Sequence, residues 1–244
     1  MMSSTTTYIS HLLDRGEVAE ETMAFHLERP AEFEFRAGQY IEVTLLAPPE
    51  TDEEGNTRAL SLVNAPSARE LIVATRMRDT AFKRSLRGMA TGTQLRIEGP
   101  MGSFTLHKNV SRASVLIAGG IGVTPFMSML ADMTEQALPR EVYLFYSNGW
   151  PEYAPFLRHL HWVASANPHF HLIATMTEMH KSHQQWRGET GPIDARLLTK
   201  YLPSLQGPIY YLSGSTGMVA QMEEMLIDAG VDEDDIRMEQ FGGY

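Results

Sequence analysis

The sequence predicts two domains, an N-terminal antiparallel β-barrel followed by a C-terminal α/β domain built on a parallel sheet. Three observations carry this expectation. Up to about Leu106 short β-type runs alternate with turn signals. From Ala113 onward strand-like and helix-like segments alternate, which calls for parallel strands with crossover helices. The chain has 244 residues, enough for two domains that each bury a core. The short polar stretch His107 to Arg112 marks the junction, so the expected domains are residues 1–108 and 109–244.

In the first part the β-type runs are TYISHLL, MAFHLE, QYIEVTLLA, RALSLV, ELIVATRM, TQLRIEG and SFTL, and Ala81 to Arg87 alone reads as helical. The second part runs SVLIAG, PFMSMLADMTEQ, EVYLFYS, PFLRHLHWVASA, FHLIATMT, ARLLTKYL, IYYLSG, GMVAQMEEMLIDAG and IRMEQF, alternating strand and helix. Thr51 to Thr57 reads as an exposed loop, and Asp232 to Asp235 as a solvated acidic one.

Hydrophobic residues make up 43% and charged residues 20%, a globular composition. A net charge of -10 gives no electrostatic footprint for nucleic acid and disfavours an anionic membrane surface. Ala113 to Leu130 is apolar enough to suggest a membrane span, but Gly119-Gly120 and Thr124-Pro125 interrupt it, so none is expected. With no basic flank and apolar core at the N-terminus, a cytoplasmic location is expected. The absence of cysteine excludes disulfides and a cysteine-ligated iron-sulfur cluster in this chain.

Between Ser114 and Met129 a strand enters Gly119-Gly120-Ile121-Gly122 and then a helix opened by Thr124-Pro125. Glycines allow close backbone approach to a pyrophosphate, Thr124 suits an N-cap, and the helix start offers free N–H groups to anionic oxygens. The spacing is Gly-x-Gly-x-x-Pro, and a tight strand-to-helix turn of any kind can use glycine. Arg58-Ala59-Leu60-Ser61 offers a phosphate clamp, an apolar cover for a flat ring and a hydroxyl for a ring nitrogen, an order that suits a flavin. Such an Arg-x-x-Ser is also common at solvated strand ends. Thr75-Arg76 and then Thr80-Ala81-Phe82-Lys83 lead into the single helix of this half and form a second anion site. The histidine pairs do not predict a metal: His159 and His161 diverge on a helix, and His169 and His171 share a strand face without a carboxylate cluster nearby in sequence. Most methionines read as core fillers, while Met218, after Ser213-Gly214-Ser215-Thr216-Gly217, is placed to line a nucleotide pocket.

Six motifs in sequence order resemble those of the ferredoxin-NADP reductase superfamily. Ala37-Gly38-Gln39-Tyr40 resembles its barrel strand, Arg58 to Ser61 its Arg-x-Tyr-Ser flavin motif, and Gly99-Pro100-Met101-Gly102-Ser103-Phe104 its Gly-Pro-x-Gly-x-Phe. Gly119 to Pro125 resembles the nicotinamide-nucleotide turn, Tyr210-Tyr211-Leu212-Ser213-Gly214 its Tyr-Tyr-Val-Cys-Gly strand, and Glu239-Gln240-Phe241 its Glu-x-aromatic signature.

The resemblance implies a flavin barrel followed by an NAD(P) domain, and hydride transfer from NADH or NADPH to FAD. It implies that Arg58 binds the flavin pyrophosphate, Ser61 hydrogen-bonds flavin N5, Thr80 to Lys83 hold phosphate, and Gly120, Gly122, Val123 and Thr124 hold the dinucleotide. Ser147, Asn148, Gly214, Ser215 and Met218 complete the nucleotide site, and Glu239 relays protons. Leu60 stands where the family has tyrosine and Ser213 where it has cysteine. Phe241 and Tyr244 are both candidates for the aromatic that covers the flavin, with Phe241 matching the spacing. The paired phosphate features favour FAD over FMN. Ser147 to Glu152 offers no cation for a 2'-phosphate and includes an acid, which favours NADH, although Lys181 and Arg187 follow in a later loop. The electron acceptor is expected to be an external redox protein such as ferredoxin. The alternatives are a small molecule (free flavin, ferric iron or a quinone) or a regulatory, electron-channelling role within a larger complex.

Overall fold

The computed structural model describes residues 6–241. By contact density the chain forms two compact units: one takes the residues up to Thr105 together with Thr124–Glu135, the other takes Leu106–Val123 and everything from Gln136.

The first unit contains strands β1 (Thr6–Ala19), β2 (Thr22–Glu28), β3 (Tyr40–Leu45), β4 (Thr57–Ser61), β5 (Glu70–Arg76) and β6 (Gln94–Met101), with helix α1 (Ala81–Gly88) between the last two. They form an antiparallel sheet in the order β4-β3-β6-β1-β2-β5. Just past β4, Leu62 bridges to Val73 of β5, and Val63 N donates to Ile72 O at 2.8 Å, drawing the two edges together as in a barrel. Phe25, Leu27, Ile41, Val43, Leu71, Val73, Leu95 and Ile97 alternate inward along their strands to make the core. α1 adds Phe82 and Leu86 to that core from one face.

β1 is twice the length of the run TYISHLL because it serves two partners. Thr6–His11 pair with β6, and Leu12 onward pairs with β2 across register shifts. The run Ser103–Leu106, expected as a strand, is irregular. Gly102, at φ +91°, turns the backbone after β6, and the Phe104 carbonyl packs against Gly38, where a Cβ would lie 2.1 Å from it. Gln39 Nε2 donates to Gly102 O at 3.0 Å, joining the Ala-Gly-Gln-Tyr and Gly-Pro-x-Gly-x-Phe segments. Helix α2 (Thr124–Glu135) belongs to this unit: Ser128 Oγ donates to Asn64 O at 2.7 Å, and the Phe126 and Phe104 rings lie 5.7 Å apart.

The second unit contains β7 (Ser114–Gly119), β8 (Val142–Asn148), β9 (Phe170–Met176), β10 (Glu189–Thr190), β11 (Ile209–Ser215) and β12 (Ile236–Phe241), with helices α3 (Leu157–Ala166), α4 (Ala195–Tyr201) and α5 (Thr216–Asp228). All its paired strands are parallel, in the order β10-β9-β8-β7-β11-β12. Val115, Leu116, Ile117 and Ala118 of the central β7 are fully buried, the continuous apolar run expected of a strand covered on both faces. The chain leaves β7 toward β8 on one side, while β11 pairs on the other. A doubly wound sheet has its ligand crevice at that switch, at the carboxyl ends of the strands. The two-residue β10, at the sheet edge, has too little pattern to be read from sequence. No helix among the described residues is long and apolar enough to cross a membrane.

Candidate functional site

In the first unit, β4 delivers Arg58 to Ser61. Antiparallel pairing sets Ser61 opposite Tyr40 and Arg58 opposite Val43, so Arg58 and Leu60 share one face, and Ala59 and Ser61 the other. Leu60 joins the barrel core and Ser61 is buried, while Ala59 is exposed. The Arg58 guanidinium lies over the Phe82 ring at 5.1 Å. Its Nη1 donates to the carbonyls of Glu54, Gly55 and Thr57 at 2.9, 3.1 and 2.8 Å, and its Nη2 to Glu54 Oε2 at 2.6 Å.

Thr80 caps α1, its hydroxyl accepting from Lys83 N at 3.4 Å. The next free donor, Ala81 N, points at Asp52 Oδ2, 2.9 Å away. Burial, with Arg78 and Arg58 beside it, pushes the Lys83 ammonium pKa below its ordinary value. Arg58, Arg78, Lys83 and the start of α1 therefore form a cationic cluster that already takes a carboxylate oxygen, which is the donor chemistry a flavin pyrophosphate requires.

Two residues of the expected phosphate segment do other work. The Phe82 ring is buried in the core, so only its backbone lies at the helix start. Arg76 is buried and turned to the β1–β2 connection, donating to Glu20 O at 3.0 Å and Thr22 Oγ1 at 2.7 Å, and the neighbouring Thr75 is buried.

In the second unit the glycines are dictated by contact. A Cβ on Gly122 would lie 2.4 Å from Ser213 O and 2.8 Å from Gly214 Cα, while one on Gly119 would lie 2.3 Å from Met218 Sδ. The turn after β7 and the end of β11 thus meet backbone to backbone, with Met218 laid over Gly119 and Gly214. Gly120–Val123 form a 3-10 turn that runs directly into α2, so Thr124, expected as an N-cap, is the helix's first residue. Ser215 caps α5, its Oγ accepting from Met218 N at 3.4 Å. Ser147 lies opposite Gly119 in register, Glu239 opposite Ser213, and Phe241 opposite Ser215. Tyr244 lies outside the described residues.

Two buried polar groups in this crevice have no partner, the Ser213 hydroxyl and both amide atoms of Asn148. Buried polar atoms without partners at the carboxyl edge of a parallel sheet fit a polar ligand there. The sequence reading missed Tyr146, which is fully buried with its hydroxyl 3.1 Å from Gly120 O and 3.0 Å from Pro155 O, holding the glycine turn against the segment before α3. The strand alternation of EVYLFYS marks it as inward, but its partner on the turn is visible only in three dimensions.

Beyond β8, Trp150 and Tyr153 stack at 4.4 Å, and Lys181 lies 5.1 Å over Trp150 while bonding Glu178 at 2.7 Å. Glu152 accepts from Ser182 Oγ at 2.9 Å and His183 N at 3.0 Å. Arg187 is exposed and borders a separate cavity of about 450 Å³ with Trp186, His161 and Tyr201. Among the described residues, no group of three or more His, Cys, Asp or Glu side chains is placed to hold a metal ion. His169 and His171 both bond Glu141, at 2.6 and 2.8 Å.

Residues 10–106 match the family described as oxidoreductase FAD-binding domain, and residues 116–224 that described as oxidoreductase NAD-binding domain. The two matches together span most of the chain, which belongs to the oxidoreductases built from an FAD-binding and an NAD-binding domain. It is 31% identical over 220 residues to the phenol hydroxylase P5 protein of Acinetobacter pittii, covering 88% of this chain and 59% of that protein. It is 25% identical over 224 residues to the glycine betaine monooxygenase reductase subunit of Chromohalobacter salexigens, covering 91% of this chain and 60% of that protein. The chain thus spans about 60% of the length of these curated relatives. In fold it is similar to the Amycolatopsis cytochrome P450 reductase GcoB (TM-score 0.82, 21% identity, 98% of this chain and 71% of that one). It is also similar to a ferredoxin NADP+ reductase from Neisseria gonorrhoeae (TM-score 0.80, 20% identity, 96% and 98%).

Proposed function

We propose that this chain oxidises NADH and passes the electrons through FAD to an external redox protein, in the cytoplasm. The observation that carries the reading is the presence in one chain of two anion-ready sites of different build. One is the cationic start of α1 with Arg58, and the other is the glycine crevice of β7 and β11 with its unpartnered Ser213 and Asn148. When bound, the flavin supplies hydride acceptance and the handing on of electrons. The chain supplies position and charge. Arg58, Lys83 and the N–H groups after Thr80 hold the flavin phosphates, and Ser61, buried at the end of β4, offers its hydroxyl to N5. Gly120 to Thr124 approach the dinucleotide phosphates, Ser147, Asn148, Gly214 and Ser215 hold its polar groups, and Ser213 and Met218 border the nicotinamide. Glu239 on β12 relays protons, and Phe241 covers a flavin face. The barrel occupies residues 1–108 and the nucleotide domain 109–244. A protein acceptor is supported by relatives that are named as the reductase subunit of a monooxygenase and the electron transfer component of a dioxygenase.

NADH is favoured because the loop after β8 presents Glu152, and because Lys181 is paired with Glu178. Repulsion of a 2'-phosphate by the Glu152 carboxylate, ~1.4 kcal/mol, corresponds to about a tenfold preference. Anaerobic stopped-flow reduction with each nucleotide, followed by a screen of ferredoxins, cytochrome c, free flavin and ferric complexes, tests the reading. Flavin bleaching by NADH at about ten times the efficiency of NADPH, with turnover supported by a protein acceptor, is the expected result. Failure of both nucleotides to bleach the flavin removes the proposal.

A further inference from the structure

The loop preceding β4 is strongly acidic, and its carboxylates lie on the groups that the proposed function gives to the flavin phosphates. Asp52 reaches one of them, its Oδ2 accepting from Ala81 N at 2.9 Å, while its Oδ1 accepts from Glu54 N within the loop at 3.1 Å. The same carboxylate stands 3.9 Å from Arg58 Nη2, whose closer partner is Glu54 at 2.6 Å. Three loop carbonyls take up Nη1. Gly55, at φ +70°, gives the loop the tight return that presents these oxygens to one guanidinium, and its N–H closes the turn on Asp52 O at 3.0 Å. At the loop's other end Glu50 chelates Arg84 of α1 through both oxygens, at 2.8 and 2.5 Å. A cavity of about 410 Å³ opens beside these groups, bordered by Asp52, Glu54, Asp79, Thr80 and Arg84.

Asp52 holds the single hydrogen of Ala81 N, and the loop's oxygens take hydrogens on both terminal nitrogens of Arg58, so a phosphate oxygen competes with the loop for these donors. We propose that the loop Thr51 to Thr57 is an internal anion that competes with the flavin's phosphates for Arg58 and the start of α1, swinging out when flavin binds and hastening its release when it swings back. The inference rests on the assignment of those donors to the flavin phosphates. It adds that the chain carries its own competitor, which makes the flavin exchangeable. The side chains of Asp52 and Glu54 are one-third and two-thirds exposed, so the loop is held loosely enough to be displaced.

The test follows FAD release from the holoprotein by the rise in flavin fluorescence. Glu54→Gln and Asp52→Asn are expected to slow release about two- to fivefold, the range set by an exposed ion pair of up to ~1 kcal/mol. Arg58→Ala is expected to speed it. A second measurement separates displacement from a general effect of removing negative charge: cleavage at Glu53 and Glu54 by a glutamate-specific protease should be faster with FAD bound than without. If both loop variants release FAD at the parental rate or faster while Arg58→Ala speeds release, or if FAD protects the loop from cleavage, the competition is refuted and the phosphate assignment stands. If Arg58→Ala leaves release unchanged, the phosphate assignment fails and the competition with it.

Discussion

Two glycines of one turn differ in what they touch, and that difference orders their tolerance of substitution. The Cβ that Gly122→Ala would add meets main-chain atoms of Ser213 and Gly214, which cannot move without parting β11 from the turn. The one that Gly119→Ala would add meets only the end of the flexible Met218 side chain. Gly122→Ala is expected to lose about 1–3 kcal/mol of stability, the usual cost of overpacking, together with measurable NADH affinity. Gly119→Ala should keep the fold. Thermal melts and nucleotide titration of the two variants check the ranking, and equal losses would refute it. Ser61 tests the chemistry of the other half. It is buried at the strand end opposite Tyr40, and Ser61→Ala should keep flavin while slowing its reduction on the order of 10-fold to 1000-fold, the range for a lost transition-state hydrogen bond. Stopped-flow reduction at the parental rate would remove Ser61 from the mechanism.

Among the elements, the segment leading into β7 is held by a buried cationic knot. Arg140, almost fully buried, donates to the His107 carbonyl and to Ser114 Oγ at 3.1 Å, and it stands 3.1 Å from His107 Nδ1. The Tyr211 hydroxyl lies 2.9 Å from the same ring nitrogen and accepts from His107 N at 2.7 Å, while His107 Nε2 faces Arg112 O at 3.2 Å. This arrangement suits a neutral imidazole with its proton on Nε2. Burial first, then the charges of Arg140 and Arg237, pull the His107 pKa from 6.5 down to about 4. As pH falls below 6.5 the unfolded chain protonates this histidine while the native state resists, so stability is lost between 6.5 and about 4 and levels off below that. The melting temperature of the parent should fall across that window, and His107→Gln should flatten the slope. Identical pH profiles would refute the role. At the same scale, helix α2 follows the glycine turn of the second unit in sequence yet packs with the barrel through Phe126, Ser128 and Met129. Its apolar, weakly amphipathic sequence does not say which unit it joins.

For the whole molecule, a flavin held by its phosphates should stabilise the native state by mass action, about 2.7 kcal/mol at a hundredfold excess over Kd. Differential scanning fluorimetry should show FAD raising the melting temperature by several degrees, at about 2–4 °C per kcal/mol for a chain of this size. Riboflavin, without phosphates, should raise it much less, and an equal shift would point to a site that reads only the ring. The sequence by itself determined the two sheets, their strand types and the glycine turn, because periodicities of 2 and 3.6 and the demands of tight turns are local properties of neighbouring residues. It also placed Arg58 and Ser213 in strands and Thr80 and Ser215 at helix starts. What only the tertiary structure decided depends on partners far apart in the chain. Ser103 to Leu106 leave the sheet because Phe104 packs against Gly38, some 66 positions earlier, and Phe126. Arg76 bonds the β1–β2 connection because that connection offers it two oxygens, those of Glu20 and Thr22. The acidic stretch Thr51 to Thr57, legible in sequence only as a solvated loop, lies on Arg58 and α1 because long-range strand pairing brings the start of that helix within reach of its carboxylates.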